Sequence, residues 1–171
     1  MTKPWTMLAL ALAGAGLLSV SMDFHPTPKL VWNASASTPE GLYLVRPDPA
    51  PKVGDIVVVN PPPRLAEFLA QRGYLPKGLP LLKAVAAVHG QSVCRIGGRV
   101  SVDRRLIVWA LVKDRIGRPL PHWRGCRIIA NGEVFLVNRA VPDSLDSRYF
   151  GPIPIRQIVG AARPIWLVKG A

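Results

Sequence analysis

A serine and a lysine in two separate segments of this sequence could together perform acyl-transfer chemistry. Ser37 lies in the short polar segment Ser35-Ala36-Ser37-Thr38-Pro39, and Lys83 interrupts the apolar run Leu81-Leu82-Lys83-Ala84-Val85-Ala86-Ala87-Val88. A serine hydroxyl is a weak nucleophile until a base removes its proton, and burial lowers a lysine pKa so that the neutral amine can be that base. The pair therefore predicts a serine/lysine catalytic centre that needs no histidine, metal or organic cofactor.

Each of these residues also has an ordinary structural explanation. A serine before Thr-Pro in a loop is commonly a turn or capping residue. A lone charge in a buried strand costs several kcal/mol unless it is neutral, paired or functional. Lys83 could instead lie at a sheet edge, with its ammonium group reaching water. The catalytic hypothesis therefore depends on the two residues acting together.

The elements that must position these residues are predicted to be mainly β-strands. The run around Lys83 has the continuous apolar character of a strand covered on both faces. Other short apolar segments bounded by turn residues are also typical of strands. The predicted strands are Leu42–Val45, Ile56–Asn60, Leu81–Val88, Val93–Ile96, Val100–Asp103, Leu106–Val112, Arg127–Ala130 and Glu133–Asn138.

Turn residues and one helical segment complete the predicted architecture. Gly97-Gly98 and Asn131-Gly132 predict hairpins between their flanking strands. One short helix is predicted over Arg64–Arg72, and residues 26–39 and 114–125 are predicted to be irregular. We therefore expect a mainly β body, either barrel-like or built of two sheets, with one short helix.

The start of the chain predicts a single membrane helix. Trp5 to Met22 is an uncharged apolar stretch of 18 residues, which as a helix would be about 27 Å long, close to the thickness of a bilayer core. We predict a signal anchor over residues 1–24 and a periplasmic domain over residues 25–171. A cleaved signal peptide is the alternative, with Ser19-Val20-Ser21 as a weak cleavage site.

Charge and cysteine content restrict the partners further. The net charge is +12, but the basic residues are scattered, which favours a solvated basic surface near lipid headgroups over a nucleic-acid site. This scattered set is Arg95, Arg99, Arg104, Arg105, Lys113, Arg115, Arg118, Arg124 and Arg127. Cys94 and Cys126 lack the further ligands of a zinc site, so we expect a disulfide in an oxidising compartment, with two buried thiols as the alternative.

Several ordered segments resemble a known family. They are Asn33 to Tyr43, Arg72 to Gly78 leading to Lys83, Gly117 to Pro121, and Asp146 to Pro152. In this combination the sequence resembles the S26 family of signal peptidases, most closely its TraF-type conjugative-transfer branch. The resemblance implies a signal-peptidase-like β body on one membrane helix.

The resemblance also implies the roles of three residues. Ser37 corresponds to the nucleophile and Lys83 to the general base. Ser35 stands where the family uses a side-chain hydroxyl, together with the backbone N–H of the nucleophile, to bind the oxyanion.

Residues around this core match supporting positions of the family. Ser144 corresponds to the serine that hydrogen-bonds the lysine and orients it. Asp146 and Arg148 correspond to a pair that braces the loop, and a direct effect of Asp146 on activity stays open. Gly54-Asp55 matches a structural motif at the start of a strand. Thr38 stands where many signal peptidases have Met, and we expect it to shape the substrate cleft.

The resulting hypothesis is a membrane-anchored serine endopeptidase on the periplasmic face of the bacterial inner membrane. The resemblance implies an exported pilin precursor as substrate and the conjugation or type IV secretion machinery as partner, with either hydrolysis or cyclisation completing the reaction. One alternative is a general type I leader peptidase. Another is a non-catalytic basic β-domain that binds an assembly partner or nucleic acid; we do not expect a nucleic-acid partner.

Overall fold

The computed structural model describes residues 29–48 and 50–168, together with Trp5, 7–9 and Leu12. In this part of the chain the regular elements are mainly strands. The strands are β1 (Leu30–Asn33), β2 (Gly41–Arg46), β3 (Ile56–Val59), β4 (Leu81–Ala87), β5 (Ser92–Ile96), β6 (Arg99–Val102), β7 (Arg105–Trp109), β8 (Gly125–Ile128), β9 (Glu133–Leu136), β10 (Ile153–Pro154) and β11 (Ile158–Leu167). The helices are α1 (Pro63–Gln71) and α2 (Ser147–Phe150), and Ile155–Gln157 forms a 3₁₀ turn.

The strands form two antiparallel sheets. The larger sheet has the order β1-β2-β11-β3-β4-β9-β10, and the smaller has the order β7-β6-β5-β8. The prediction of a mainly β, two-sheet body is therefore confirmed. The structure adds a second short helix, α2, that the sequence pattern did not indicate.

Apolar side chains from both sheets form the core. Ala87 of β4 and Phe135 of β9 pack with Val93, Val100 and other buried residues of the smaller sheet. The larger sheet has its own buried cluster that includes valines of β3 and β4. On β4, Val85 belongs to this cluster, whereas Leu82, on the alternate face, packs in another cluster with Tyr43 and Val58. Strand β4 is thus covered on both faces, as its continuous apolar run predicts.

A glycine allows the close approach of two strands in the larger sheet. Gly41 begins β2 and pairs with Leu167 of β11. A side chain at Gly41 would collide with the backbone carbonyl of Trp166, and its φ of 152° lies in a region that favours glycine. The contact between β2 and β11 therefore depends on the absence of a side chain at this position.

Two predictions about the strands need correction. The Asn131-Gly132 turn does not close a hairpin, because β8 pairs with β5 whereas β9 pairs with β4; this turn instead carries the chain from one sheet to the other. The segment 26–39 was predicted to be irregular, yet it contains β1, which pairs with β2. The hairpin at Gly97-Gly98 is confirmed by the pairing of β5 with β6.

Arg95 was predicted to belong to the solvated basic surface, and that prediction is wrong. Its side chain is 5% exposed, and Arg95 Nη1 donates to the carbonyl of Arg148 at 2.6 Å. This arginine therefore links the smaller sheet to α2.

The predicted membrane anchor over residues 1–24 falls almost entirely outside the described residues. Where the chain is described, no helix combines the length and apolar character needed to cross a bilayer. The boundary between anchor and peptidase domain stays a prediction.

Candidate active site

The loop that carries Ser37 connects β1 to β2 and is held from its N-terminal side by Asn33. The Asn33 amide nitrogen donates to the carbonyls of Ser35, Thr38 and Pro39 at 2.9, 2.8 and 3.1 Å. The Asn33 side-chain oxygen accepts from the backbone N–H of Ser35 at 3.2 Å. These bonds tie both ends of the loop to one buried side chain.

Lys83 lies in the interior of the larger sheet, because β4 is hydrogen-bonded to β3 on one side and β9 on the other. Its side chain is only 3% exposed, which excludes the sheet-edge alternative. Burial lowers the pKa of Lys83 from 10.5 to about 8; the charge of Asp146 opposes this change and that of Arg148 adds to it. A neutral amine is therefore readily formed near neutral pH.

The side chains of Ser37, Lys83, Ser35 and Ser144 meet at one place. Lys83 Nζ donates to Ser37 Oγ at 3.2 Å and to Ser144 Oγ at 2.9 Å. Ser35 Oγ lies 3.0 Å from Ser37 Oγ. The structure thus brings together residues from the β1–β2 loop, from β4 and from the segment that precedes α2.

Asp146 and Arg148 form a fully buried ion pair that braces this last segment. Arg148 Nε and Nη2 donate to the two carboxylate oxygens at 2.8 and 2.9 Å. Arg148 also donates to the carbonyls of Pro142 and Val141 at 2.7 and 3.2 Å. Because the pair holds the segment on both sides of Ser144, it can fix the hydroxyl that contacts Lys83.

Asn138, which follows β9, was missed by the sequence analysis. Its side-chain nitrogen contacts the carbonyl of Ser37 at 2.5 Å and Thr38 Oγ1 at 3.0 Å. The signal in the sequence was a single amide at the end of the apolar run Val134 to Val137, because a buried amide needs hydrogen-bond partners.

Thr38 occupies a different place from the one expected. It is 6% exposed and donates to the carbonyl of Leu82 at 3.1 Å. The residue therefore fastens the loop that carries Ser37 to β4 and does not line the cleft.

A cleft of about 430 Å³ opens beside the four polar residues. Its walls include the apolar side chains of Leu69, Leu75, Leu81, Leu111, Ile116 and Leu120. A cleft of this size and character suits a peptide segment with apolar side chains.

One wall of the cleft joins the segment after α1 to the loop between β7 and β8. Arg118 Nε donates to the carboxylate of Asp114 at 2.7 Å, and the hydroxyl of Tyr74 donates to the same oxygen. Arg118 also donates to the carbonyl of Arg72 at 3.1 Å, while Arg72 donates to the carbonyl of Pro119 at 2.7 Å. Two segments that carry the resemblance to the transfer branch therefore meet beside Ser37.

Cys94 of β5 and Cys126 of β8 are joined in a disulfide between paired strands of the smaller sheet. Their Cα atoms are 4.0 Å apart. Neither cysteine lines the cleft beside Ser37.

The family model described as signal peptidase, peptidase S26, matches residues 2–167. The chain therefore belongs to the signal peptidase S26 family, and the resemblance inferred from its motifs is confirmed.

Relatives from conjugation systems match most of the chain. The protein named probable conjugal transfer protein TraF of Sinorhizobium fredii is 37% identical over 166 residues, which cover 88% of this chain and 87% of that protein. Conjugal transfer protein TraF of Agrobacterium fabrum is 37% identical over 167 residues, covering 92% of this chain and 90% of that protein. The crystal structure of a signal peptidase I from Enterococcus faecalis is 16% identical, covers 66% of this chain and 96% of that chain, and has a TM-score of 0.39.

Proposed function

We propose that this chain is a serine endopeptidase in which Ser37 is the nucleophile and Lys83 the general base. The observation that carries the proposal is the contact between Lys83 Nζ and Ser37 Oγ at 3.2 Å. Burial supports it further, because it lowers the pKa of this lysine to about 8.

The neutral amine of Lys83 takes the proton of Ser37 Oγ as this oxygen attacks the scissile carbonyl. The resulting oxyanion accepts hydrogen bonds from the Ser35 hydroxyl and from the backbone N–H of Ser37. The C–N bond then breaks, and the Lys83 ammonium gives its proton to the leaving amine. An acyl-enzyme ester on Ser37 remains, and a water molecule or an amine attacks it to release the product.

The proposed substrate is an exported precursor protein, most specifically a conjugative pilin. The similarity to two proteins named as conjugal transfer proteins supports this assignment, as does the apolar cleft beside Ser37. The proposed site of action is the periplasmic face of the bacterial inner membrane, with residues 1–24 as the anchor and the conjugation machinery as partner. The apolar stretch from Trp5 to Met22 supports the anchor.

The dyad is tested by the variants Ser37→Ala and Lys83→Ala, each expressed in membranes together with a tagged pilin precursor. Each substitution should abolish cleavage because it removes one part of a single proton-transfer unit. Ser101→Ala and Lys52→Ala, outside the cleft, serve as matched controls and should cleave normally. Near-normal turnover by Lys83→Ala with Ser37 still essential would assign the base to another residue.

A further inference from the structure

We infer that Asn138 is the positioning residue that sets the separation between the nucleophile loop and the strand of the general base. The inference rests on the proposed function of Ser37 and Lys83. Asn138 lies outside the segments that carry the resemblance to the family.

The Asn138 side chain contacts the backbone on both sides of Lys83. Its oxygen accepts from the backbone N–H of Ala84 at 2.8 Å, and its nitrogen lies 3.3 Å from the carbonyl of Leu82. The side chain therefore pairs with β4 at Lys83, next to the backbone bond from Val137 N–H to the Ala84 carbonyl at 2.8 Å.

The same amide nitrogen also contacts the nucleophile loop. It donates to the carbonyl of Ser37 at 2.5 Å and to Thr38 Oγ1 at 3.0 Å. An amide group is planar and its oxygen and nitrogen are a fixed distance apart. Asn138 therefore acts as a rigid spacer between the backbone of Ser37 and the backbone around Lys83.

The backbone of Asn138 is bound to the segment that carries Ser144. Its N–H donates to Asp146 Oδ2 at 3.1 Å, and its carbonyl accepts from Arg148 Nη2 at 2.8 Å. All three segments of the site thus meet at one residue that is only 7% exposed. The contact between the flexible tip of Lys83 and Ser37 Oγ depends on this backbone frame.

Two substitutions separate positioning from mere packing. Asn138→Ala removes the whole spacer. Asn138→Asp keeps nearly the same shape and the acceptor for Ala84, but it replaces the donor with an oxygen that faces the carbonyl of Ser37. The added carboxylate also favours the charged form of the nearby Lys83.

The experiment uses the full chain in detergent micelles and a chromogenic p-nitrophenyl ester, with burst kinetics over pH 6 to 10. The burst amplitude counts functional Ser37 nucleophiles, and the burst rate measures acylation at each of them. Both variants should acylate roughly a hundredfold more slowly, as expected for a misplacement of the order of 1 Å. Asn138→Ala should keep the wild-type pH midpoint, whereas Asn138→Asp should shift it upward. Asn131→Ala, in an exposed turn, is the control and should match wild type.

The results test the assignment of Ser37 as nucleophile and the positioning role of Asn138 separately. If the reaction of the protein with the ester survives Ser37→Ala, the assignment of the nucleophile is wrong. If wild type reacts at Ser37 and both Asn138 variants acylate within about twofold of its rate, only the positioning role is wrong. If Asn138→Ala does not fold, the acylation rate of the near-isosteric Asn138→Asp variant tests the positioning role. A reduced amplitude with an unchanged rate would show that Asn138 contributes to folding alone, and this would also overturn the inference.

Discussion

The protonation state of Lys83 depends on how the neighbouring carboxylate is bound. Asp146 is close enough to favour the ammonium form, yet its two oxygens are paired with Arg148. Burial is the largest influence and lowers the pKa of Lys83 to about 8, while the Asp146 carboxylate opposes this change and the Arg148 guanidinium adds to it. The buried ion pair therefore braces the Ser144 segment without holding a proton on Lys83.

This pKa predicts how activity depends on pH. Only the neutral amine can accept the proton of Ser37, so kcat/KM should rise with pH through a midpoint near 8. The rise should level off above the midpoint, once most of Lys83 is neutral. Initial rates on the pilin precursor between pH 6 and 10 measure this profile. A rate that still rises steeply at pH 10, with no plateau, would contradict the burial argument.

Ser35 should contribute to the chemical step and little to binding. Its hydroxyl lies 3.0 Å from Ser37 Oγ, where it can reach the oxyanion that forms at the attacked carbonyl. Ser35→Ala should lower kcat about a hundredfold to a thousandfold with KM almost unchanged, as is typical for loss of one oxyanion donor. Ser35→Thr keeps a hydroxyl and is the matched control. An unchanged kcat for Ser35→Ala would mean that another donor binds the oxyanion.

At the scale of the elements, the wall formed by Tyr74, Asp114 and Arg118 should affect substrate binding more than chemistry. Tyr74→Phe removes one hydrogen bond to Asp114 and loosens the β7–β8 loop against the segment after α1. We expect KM to rise about threefold to tenfold, equivalent to roughly 1 kcal/mol, with kcat nearly constant.

The control for this prediction breaks a polar contact away from the cleft. Glu133→Gln weakens the ion pair with Arg127, whose nitrogen lies 2.6 Å from the carboxylate, and should leave KM unchanged. Steady-state kinetics on the same substrate compare the two variants. An equal KM for Tyr74→Phe and wild type would show that this wall does not contribute to substrate binding.

Local patterns predicted the elements whose partners are close in sequence or whose burial is complete. The apolar run of β4, the helix α1 and the hairpin at Gly97-Gly98 all fall into this group. The Asn131-Gly132 turn has an even stronger local signal, but long-range pairing of β8 with β5 and of β9 with β4 overrides it. A turn sequence specifies that the chain reverses, and the choice of partner strand depends on tertiary packing.

In the candidate site too, the residues that local sequence predicts differ from those that depend on distant contacts. Ser37 and Lys83 have unusual chemistry for their local setting, whereas Asn138 acquires its importance only from residues far along the chain. The strand β11 was also missed, because Gly160 and Pro164 interrupt its pattern and its pairing contains irregular register with both neighbours. Side-chain hydrogen bonds between distant segments leave no periodic signal in a sequence.

At the scale of the whole molecule, the fate of the acyl-enzyme in the proposed mechanism determines the product. If the amino terminus of a conjugative pilin reaches the ester on Ser37, its tethering gives it a high effective concentration relative to an untethered amine. We therefore expect a cyclic pilin, lighter by one water than the linear chain of the same residues. Intact-mass measurement of the matured pilin distinguishes the cyclic product from the linear chain. If only the mass of the linear chain is found, the reaction is purely hydrolytic.

The position of β11 in the larger sheet determines when the chain can first become active during its synthesis. Ser37 lies between β1 and β2, Lys83 lies on β4, and β11 is the strand that pairs with both β2 and β3. Residues 158–167 leave the ribosome after every other strand in the described part of the chain. The half of the sheet that bears Ser37 and the half that bears Lys83 therefore lack their shared strand throughout most of synthesis. We expect a nascent chain to be inert towards itself and its neighbours until this last strand docks.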